Sequence, residues 1–290
     1  MDIQFLYPRW GAEAIPWHSF LHSVKEEGFA GIEWNPDGTG ADNNAVVRLL
    51  QEMQLDYAIV TTVAAPYTGF DDYLLQLRRH LVQLTDKEVF AFKPLFISLQ
   101  TGREFFTEEQ VVICDELTCE IRERTGISIY HETHRNKWTY AVHLLPPVIK
   151  RRRNIAFTLD VSHWFCVSES YLSDQQEAVL MAIEHAHHIH ARVGYDQGPQ
   201  VADPALPEYA EALNEHLRIW DQWIEMRRKK GYRTSTITPE FGPPPYMAVA
   251  GRDLIPRNEQ WRLNVWMKNL LLQRYGAETE QAGPVVTEKG

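Results

Sequence analysis

Short apolar runs alternate with longer segments of helical period along almost the whole chain. The first run, "IQFLY" (3–7), is followed by a stretch from Trp17 to Glu27 in which Phe20, Leu21 and Val24, with Phe29 just beyond, recur at helical spacing. "GFAGIEW" (28–34) opens on a glycine suited to closing a helix and continues as a strand, and "NNAVVRLLQEM" (43–53) returns to helix. The alternation then pairs a strand over 55–63 with a helix over 71–84, 92–101 with 108–126, 127–132 with a helix around 138–149, and 155–164 with one around 175–187. Strands over 187–194 and 234–242 precede helices over 209–231 and 259–276, which brings the count to eight strand–helix rounds.

Eight such rounds predict a (β/α)8 TIM barrel, in which each strand is covered on both sides and therefore reads as a brief apolar run. A doubly wound open sheet is the competing architecture. It would want a glycine-rich phosphate turn after an early strand, and neither GxGxxG nor GxxxxGK[ST] occurs. The expected organisation is one barrel domain over 1–276 and a flexible tail over 277–290, where periodicity stops. The Pro/Gly-rich connections over 195–208 and 242–258 are long for a barrel and read as lids, subunit contacts or rigid decoration.

Composition narrows the function classes. A net charge of −10 argues against a nucleic-acid partner, since such binding draws its affinity from Lys and Arg on phosphates. No window approaches the roughly 20 apolar residues of a membrane helix, and "MDIQFLYPRW" has no basic region ahead of an apolar one, so a soluble cytoplasmic protein without a membrane partner is expected. Cys114, Cys119 and Cys166 form no CxxC pair and read as small buried apolar residues in a reducing compartment.

Candidate chemistry gathers where the apolar runs stop. "ISIYHETHR" (127–135) passes without a break from a buried strand into ionisable side chains. In a (β/α)8 barrel, residues that close a strand face a common cleft. Strand five delivers Glu132 there, strand six ("TLDVSH") Asp160 and His163, strand seven ("HIHARV") His190 and Arg192, and strand eight ("ITPEFG") Glu240. Three carboxylates in one cleft raise one another's pKa unless a cation lies between them, and a divalent metal is the simplest such cation. Two Glu, one Asp and one His suit a hard or borderline ion: Mn²⁺, Mg²⁺, Co²⁺ or Zn²⁺. A single acid at a strand end is more often a helix cap, but three acids and a histidine at four successive strand ends are not explained that way. His188 shares the face of His190 one layer deeper and reads as a core histidine; His185 and His187 read as residues of a helix end.

With these motifs the chain resembles the xylose-isomerase-like barrels, the superfamily of sugar and sugar-phosphate isomerases and epimerases. The resemblance rests on Glu132 ending strand five, Asp160-x-x-His163 ending strand six, the second His of His188-x-His190 on strand seven and Glu240 after strand eight, and it spans roughly 2–276. Glu33, ending "GFAGIEW", matches the second strand of that family. The resemblance implies one divalent metal held by Glu132, Asp160, His190 and Glu240, with proton transfer beside a carbonyl through an enediolate. It casts Glu132 and Glu240 as acid/base residues and His163 as a hydrogen-bond partner of a substrate oxygen.

Two departures bear on the substrate. Ketose 3-epimerases of this kind carry a second Glu six residues beyond the strand-five ligand and an Arg six beyond the strand-seven His, where this chain has Trp138 and Asp196. It offers His134, Arg135 and Arg192 instead, and such arginines either clamp a substrate carboxylate or phosphate or pair with the surplus acids. Arg9, Lys93 and Arg103 could extend a cationic subsite. Trp10, Tyr7, Trp34 and Trp164 are candidates to pack on sugar C–H faces or in the core, while Trp220 and Trp223 face the barrel or a neighbouring subunit.

The leading expectation is a metal-dependent isomerase or epimerase of a sugar or polyol-derived ketone. A dehydratase of a keto-inositol or dehydroshikimate-like substrate begins with the same proton abstraction, and a non-catalytic carbohydrate-binding barrel is the third class. Self-association into a homo-oligomer is compatible with all three.

Overall fold

The computed structural model describes residues 1–36, 42–247 and 256–276. Eight parallel strands close into a barrel in sequence order: β1 (Asp2–Pro8), β2 (Gly31–Trp34), β3 (Asp56–Thr62), β4 (Phe96–Gln100), β5 (Ser128–Glu132), β6 (Phe157–Leu159), β7 (Ala186–His190) and β8 (Thr234–Thr238). The helices are α1 (Trp17–Glu26), α2 (Asn43–Glu52), α3 (Phe70–Leu84), α4 (Glu108–Thr125), α5 (Leu145–Arg151), α6 (Val161–Ser168), α7 (Gln176–His185), α8 (Ala210–Lys229) and α9 (Pro256–Tyr275). The expected tail over 277–290 lies outside the described residues.

Strand alternation decides which side chains reach the site. In β4, Ile97 and Leu99 belong to the large core between barrel and helices, so Phe96, Ser98 and Gln100 point inward. The same parity turns Tyr130 and Glu132 inward from β5, and His188 and His190 from β7. Leu6, Ala58 and Phe96 plug the lower interior, with Tyr130 stacked on Phe96 at a centroid distance of 5.0 Å. Above this plug the interior becomes polar: Ser98 donates to Thr158 (2.9 Å), and His188 is held by the hydroxyls of Thr236 (2.8 Å) and Thr238 (3.1 Å), as expected of a core histidine.

Several expectations are corrected. The run over 155–164 is not one strand: β6 stops at Leu159, and Asp160 caps α6 by accepting the Ser162 N–H. The helix expected around 138–149 starts late, at Leu145, because Pro146 and Pro147 are suited to a first turn. His187 lies in β7 rather than at a helix end and stacks on Tyr130. Only Cys114 is fully buried; Cys119 and Cys166 are half-buried. Lys93 caps the Thr125 carbonyl (2.9 Å), before β5 begins and so at the opposite end of the barrel from the cleft. Trp220 and Trp223 are buried, and Trp223 donates to the Ala186 carbonyl (2.9 Å), which makes them barrel-facing.

Outward-facing His131 anchors α4 through a buried acid. Asp115 accepts from His131 Nε2 (3.2 Å) and from Arg152 Nε (2.6 Å). Burial alone would raise its pKa, but the hydrogen bond and charge of His131, followed by those of Arg152, leave it below the usual carboxylate range. A depressed pKa means that this stabilisation is present above the unfolded Asp value of about 3.9 and is lost as pH falls through the lower folded value. Asp115→Asn is therefore expected to cost about 3 kcal/mol in urea titrations at pH 7, the scale for removing one partner of a buried pair. The difference from wild type should shrink below about pH 4. A variant equally destabilised at both pH values would assign the loss to packing.

Candidate metal centre and active-site cavity

The C-terminal strand ends open into a cavity of about 250 Å³. Its floor carries Glu132, Glu240 and Arg192; Trp10, Trp34, Gln100, His134 and Tyr246 are among its walls. Glu132 is fixed from both sides. Gln100 Nε2 donates to its Oε1 (3.1 Å), and the Thr139 hydroxyl donates to its carbonyl (2.6 Å). Glu240 follows β8 in a turn held by Asn264, which accepts from the Phe241 N–H (2.8 Å). The benzo edge of the Trp10 indole packs against Gly242, where any β-carbon would collide with it.

His190 is the hinge of the site. Its Nε2 lies 3.1 and 2.9 Å from the two carboxylate oxygens of Glu33, and its Nδ1 is 3.0 Å from Glu240 Oε2. Nδ1 and Glu240 Oε2 are both buried, and neither has a hydrogen-bond partner. One donor atom each from Glu132, His190 and Glu240 can be drawn from within a 4.8 Å span. With the imidazole neutral, as a metal ligand must be, Nδ1 and Oε2 3.0 Å apart match neighbouring ligand positions on an octahedron with bonds of about 2.1 Å. Glu33 also supplies the partner that a metal-ligating histidine ordinarily has on its other nitrogen. Glu132, His190 and Glu240 thus fit a divalent ion.

Asp160 stands outside that trio. Its Oδ1 accepts from Ser162 N (2.9 Å) and Ser162 Oγ (2.5 Å), and its Oδ2 accepts from Arg192 Nη2. Arg192 also donates from Nε to Ser162 Oγ (3.2 Å) and lies 3.8 Å from Glu240 Oε2. His163, expected at the substrate, is buried behind this arginine: Arg192 Nη2 is 3.0 Å from its Nε2 and Arg135 Nη1 is 3.2 Å from its Nδ1. Arg135 and Arg192 each lie 4.7 Å from the Tyr246 ring centroid. Glu33, also expected at the substrate, is buried beneath His190 and does not line the cavity.

Electrostatics separate the acids. Burial, reinforced by Glu240, Asp160 and Glu33, pushes Glu132 far above the usual carboxylate range despite the opposing charge of His190. Glu240 is pulled below that range, because the charges of His190 and then Arg192 outweigh its burial. Asp160 is raised by burial, against the pull of Arg192. His163 is held neutral by burial, with His134 and the Arg192 and Arg135 guanidiniums acting in the same direction. Burial likewise lowers His134 to about 3, followed by Arg192 and Lys137.

Strand ends in sequence point to Glu132, His190 and Glu240, which the structure brings together, but not to Gln100 and Tyr246, which line the same cavity. Gln100 had the same signal, a polar residue closing the run "FISLQ". Tyr246 had none. Of the other cationic candidates, Arg9 is buried against Trp17 and Phe20 (4.1 and 4.4 Å from the ring centroids) and reaches the cavity wall, whereas Arg103 pairs with Glu104 (3.0 Å). Tyr7 and Trp164 are core residues; Trp34 lines the cavity. The loop over 195–208 is tied to the β8 loop by Gln200, which bonds the N–H and carbonyl of Gly242 (2.8 and 3.2 Å). Part of the second long loop, over 248–255, lies outside the described residues.

No protein-family model matches the sequence, and no curated relative matches it. Solved structures do match its shape. A xylose-isomerase-like TIM barrel protein from Mycobacterium smegmatis, solved in complex with magnesium, superposes with a TM-score of 0.58 at 13% identity, covering 93% of this chain and 97% of that one. The fold is that of the xylose-isomerase-like barrels. The 3-keto-D-glucoside 4-epimerase of E. coli matches at a TM-score of 0.56 and 14% identity over 92% of this chain and 100% of that one. A probable 3-DHS dehydratase involved in petrobactin synthesis in Bacillus anthracis matches at 0.57 and 15% over 93% and 99%. At such identities the likeness shows a shared xylose-isomerase-like architecture. No helix among the described residues is long and apolar enough to cross a membrane.

Proposed function

We propose that the protein is a divalent-metal-dependent isomerase or epimerase of a sugar or sugar-derived ketone. The observation that carries this reading is the pair of unpartnered, buried ligand atoms, His190 Nδ1 and Glu240 Oε2, 3.0 Å apart beside Glu132 at the cavity floor. Glu132, His190 and Glu240 would hold the ion. Once bound, it would supply Lewis-acid polarisation of a substrate carbonyl and so acidify the neighbouring C–H. Glu132 carries the mobile proton, and Gln100 aims its carboxyl at the cavity. Glu240 remains the anion of the pair. Trp10 offers an apolar face to sugar C–H groups. Similarity to epimerases that act on carbonyl sugars supports the substrate class.

The test has two steps. Purified protein should contain about one divalent ion per chain by plasma mass spectrometry, and Glu240→Gln should lose it. Metal-loaded protein incubated in D2O with keto-sugars and keto-polyols should then introduce deuterium next to the carbonyl. Loss of water in that assay instead of isomerisation would assign the site to dehydratase chemistry. A wild type that takes up neither Mn²⁺, Mg²⁺, Co²⁺ nor Zn²⁺ would leave a barrel with a binding role.

A further inference from the structure

Asp160 follows β6 in the position where a fourth ligand to the ion would be sought, yet Ser162 and Arg192 hold its two oxygens. Its two oxygens take three hydrogen bonds, from Ser162 N, Ser162 Oγ and Arg192 Nη2, and it is the cap of α6. No ligand trio drawn from the described residues includes it. The arginine meets this pair through its Nε and Nη2. It is buried, bonds Ser162 Oγ as well as Asp160, and lies against the Tyr246 ring. The backbone holds it there: Gly194, two residues on, approaches Ser162 so closely that a β-carbon would come within 2.7 Å of the Ser162 β-carbon and 2.8 Å of the Pro199 carbonyl oxygen.

We propose that Arg192 is a built-in counter-cation that withdraws Asp160 from the metal, leaving a three-ligand centre of Glu132, His190 and Glu240. This rests on the metal-dependent reading above. A guanidinium is permanently charged and matches a carboxylate edge, so it neutralises one of the clustered acids without needing the ion. Two consequences follow for the ion. It meets one fewer negative ligand, which lowers affinity, and it keeps one more position for water or substrate oxygen, the mark of a catalytic rather than a closed site.

The reading makes a prediction of unusual sign. In Arg192→Met, Asp160 is released and can ligate, so calorimetric titration of the EDTA-stripped protein should show Mn²⁺ binding tighter by about tenfold or more. Water-proton relaxation should fall in step, because a bound water is displaced. Asp160→Asn should still bind about one ion per chain, and Arg192→Met combined with Asp160→Asn should lose the tightening. Arg192→Lys, which retains the charge, serves if Arg192→Met fails to fold, and should not tighten binding. Unchanged or weaker Mn²⁺ binding in Arg192→Met, or loss of the ion in Asp160→Asn as complete as in Glu240→Gln, would overturn the inference while leaving the metal site intact. A wild type that binds no Mn²⁺ would remove the function proposed above together with it.

Discussion

Glu132→Gln is expected to slow deuterium exchange into the substrate by about a thousandfold, within the range for removing a general acid or base. The substitution is nearly isosteric. The amide oxygen still accepts from Gln100 Nε2, and the backbone bond from Thr139 is untouched, so position is preserved while the ability to carry a proton is lost. Packing does not oppose the change either: the wild-type carboxyl is buried near Asp160, Glu240 and Glu33, and a neutral group there removes like-charge repulsion. The melting temperature of the metal-free variant should therefore not fall below that of wild type. Metal content should drop less than in Glu240→Gln, because Glu240 Oε2 is 3.0 Å from His190 Nδ1 whereas Glu132 Oε1 is 3.9 Å from it. A variant with full metal and near-normal exchange would move the proton-transfer role away from Glu132. Measuring exchange beside metal content in the same preparation separates lost chemistry from a lost ion.

The sequence exposed this trio because each member ends a run that otherwise reads as buried. "SIYHE", "AHHIH" and "TSTIT" with Glu240 two residues on are legible as strands arriving at one end of a barrel, since strand parity and closure leave little choice of where the final side chains go. What stayed hidden depends on distance along the chain or on local apolarity. "DVSHWFCVS" is as hydrophobic as a strand, and nothing in its composition says that Asp160 turns the chain into α6. That turn carries Asp160 toward Ser162 and Arg192 and buries His163 behind the arginine. Arg192 allowed two readings in sequence, a substrate clamp or a partner for surplus acid. In the structure its Nε and Nη2 serve Ser162 and Asp160, the pairing with a surplus acid, while the residue also lines the cavity. Tyr246 sits among three prolines, "PPPY", with no period to place it, and only tertiary structure sets its ring beside Arg135 and Arg192.

Glu33 is the clearest case of a residue that sequence brought to the right end of the barrel for another purpose. It is 157 positions from His190, and the two meet because β2 and β7 both deliver their last inward side chain to the same interior layer. There Glu33 fixes the ring: with Nε2 bonded to the carboxylate, Nδ1 is the nitrogen left facing Glu240 and Glu132. The negative charge below the ring also makes that nitrogen a better electron-pair donor. Glu33→Gln keeps a side chain of the same length able to accept from Nε2 but removes the charge. Mn²⁺ affinity should fall by about 10- to 100-fold, the cost typical of losing such an orienting partner. Circular dichroism and melting temperature of the metal-free protein should stay near wild type, so the deficit should be recovered by raising Mn²⁺ concentration. A purely structural role predicts the opposite pattern, a lowered melting temperature with a normal affinity in the fraction that folds. An unchanged Mn²⁺ affinity at an unchanged melting temperature would mean that His190 is oriented by its strand alone and that Glu33 serves only to fill the barrel interior.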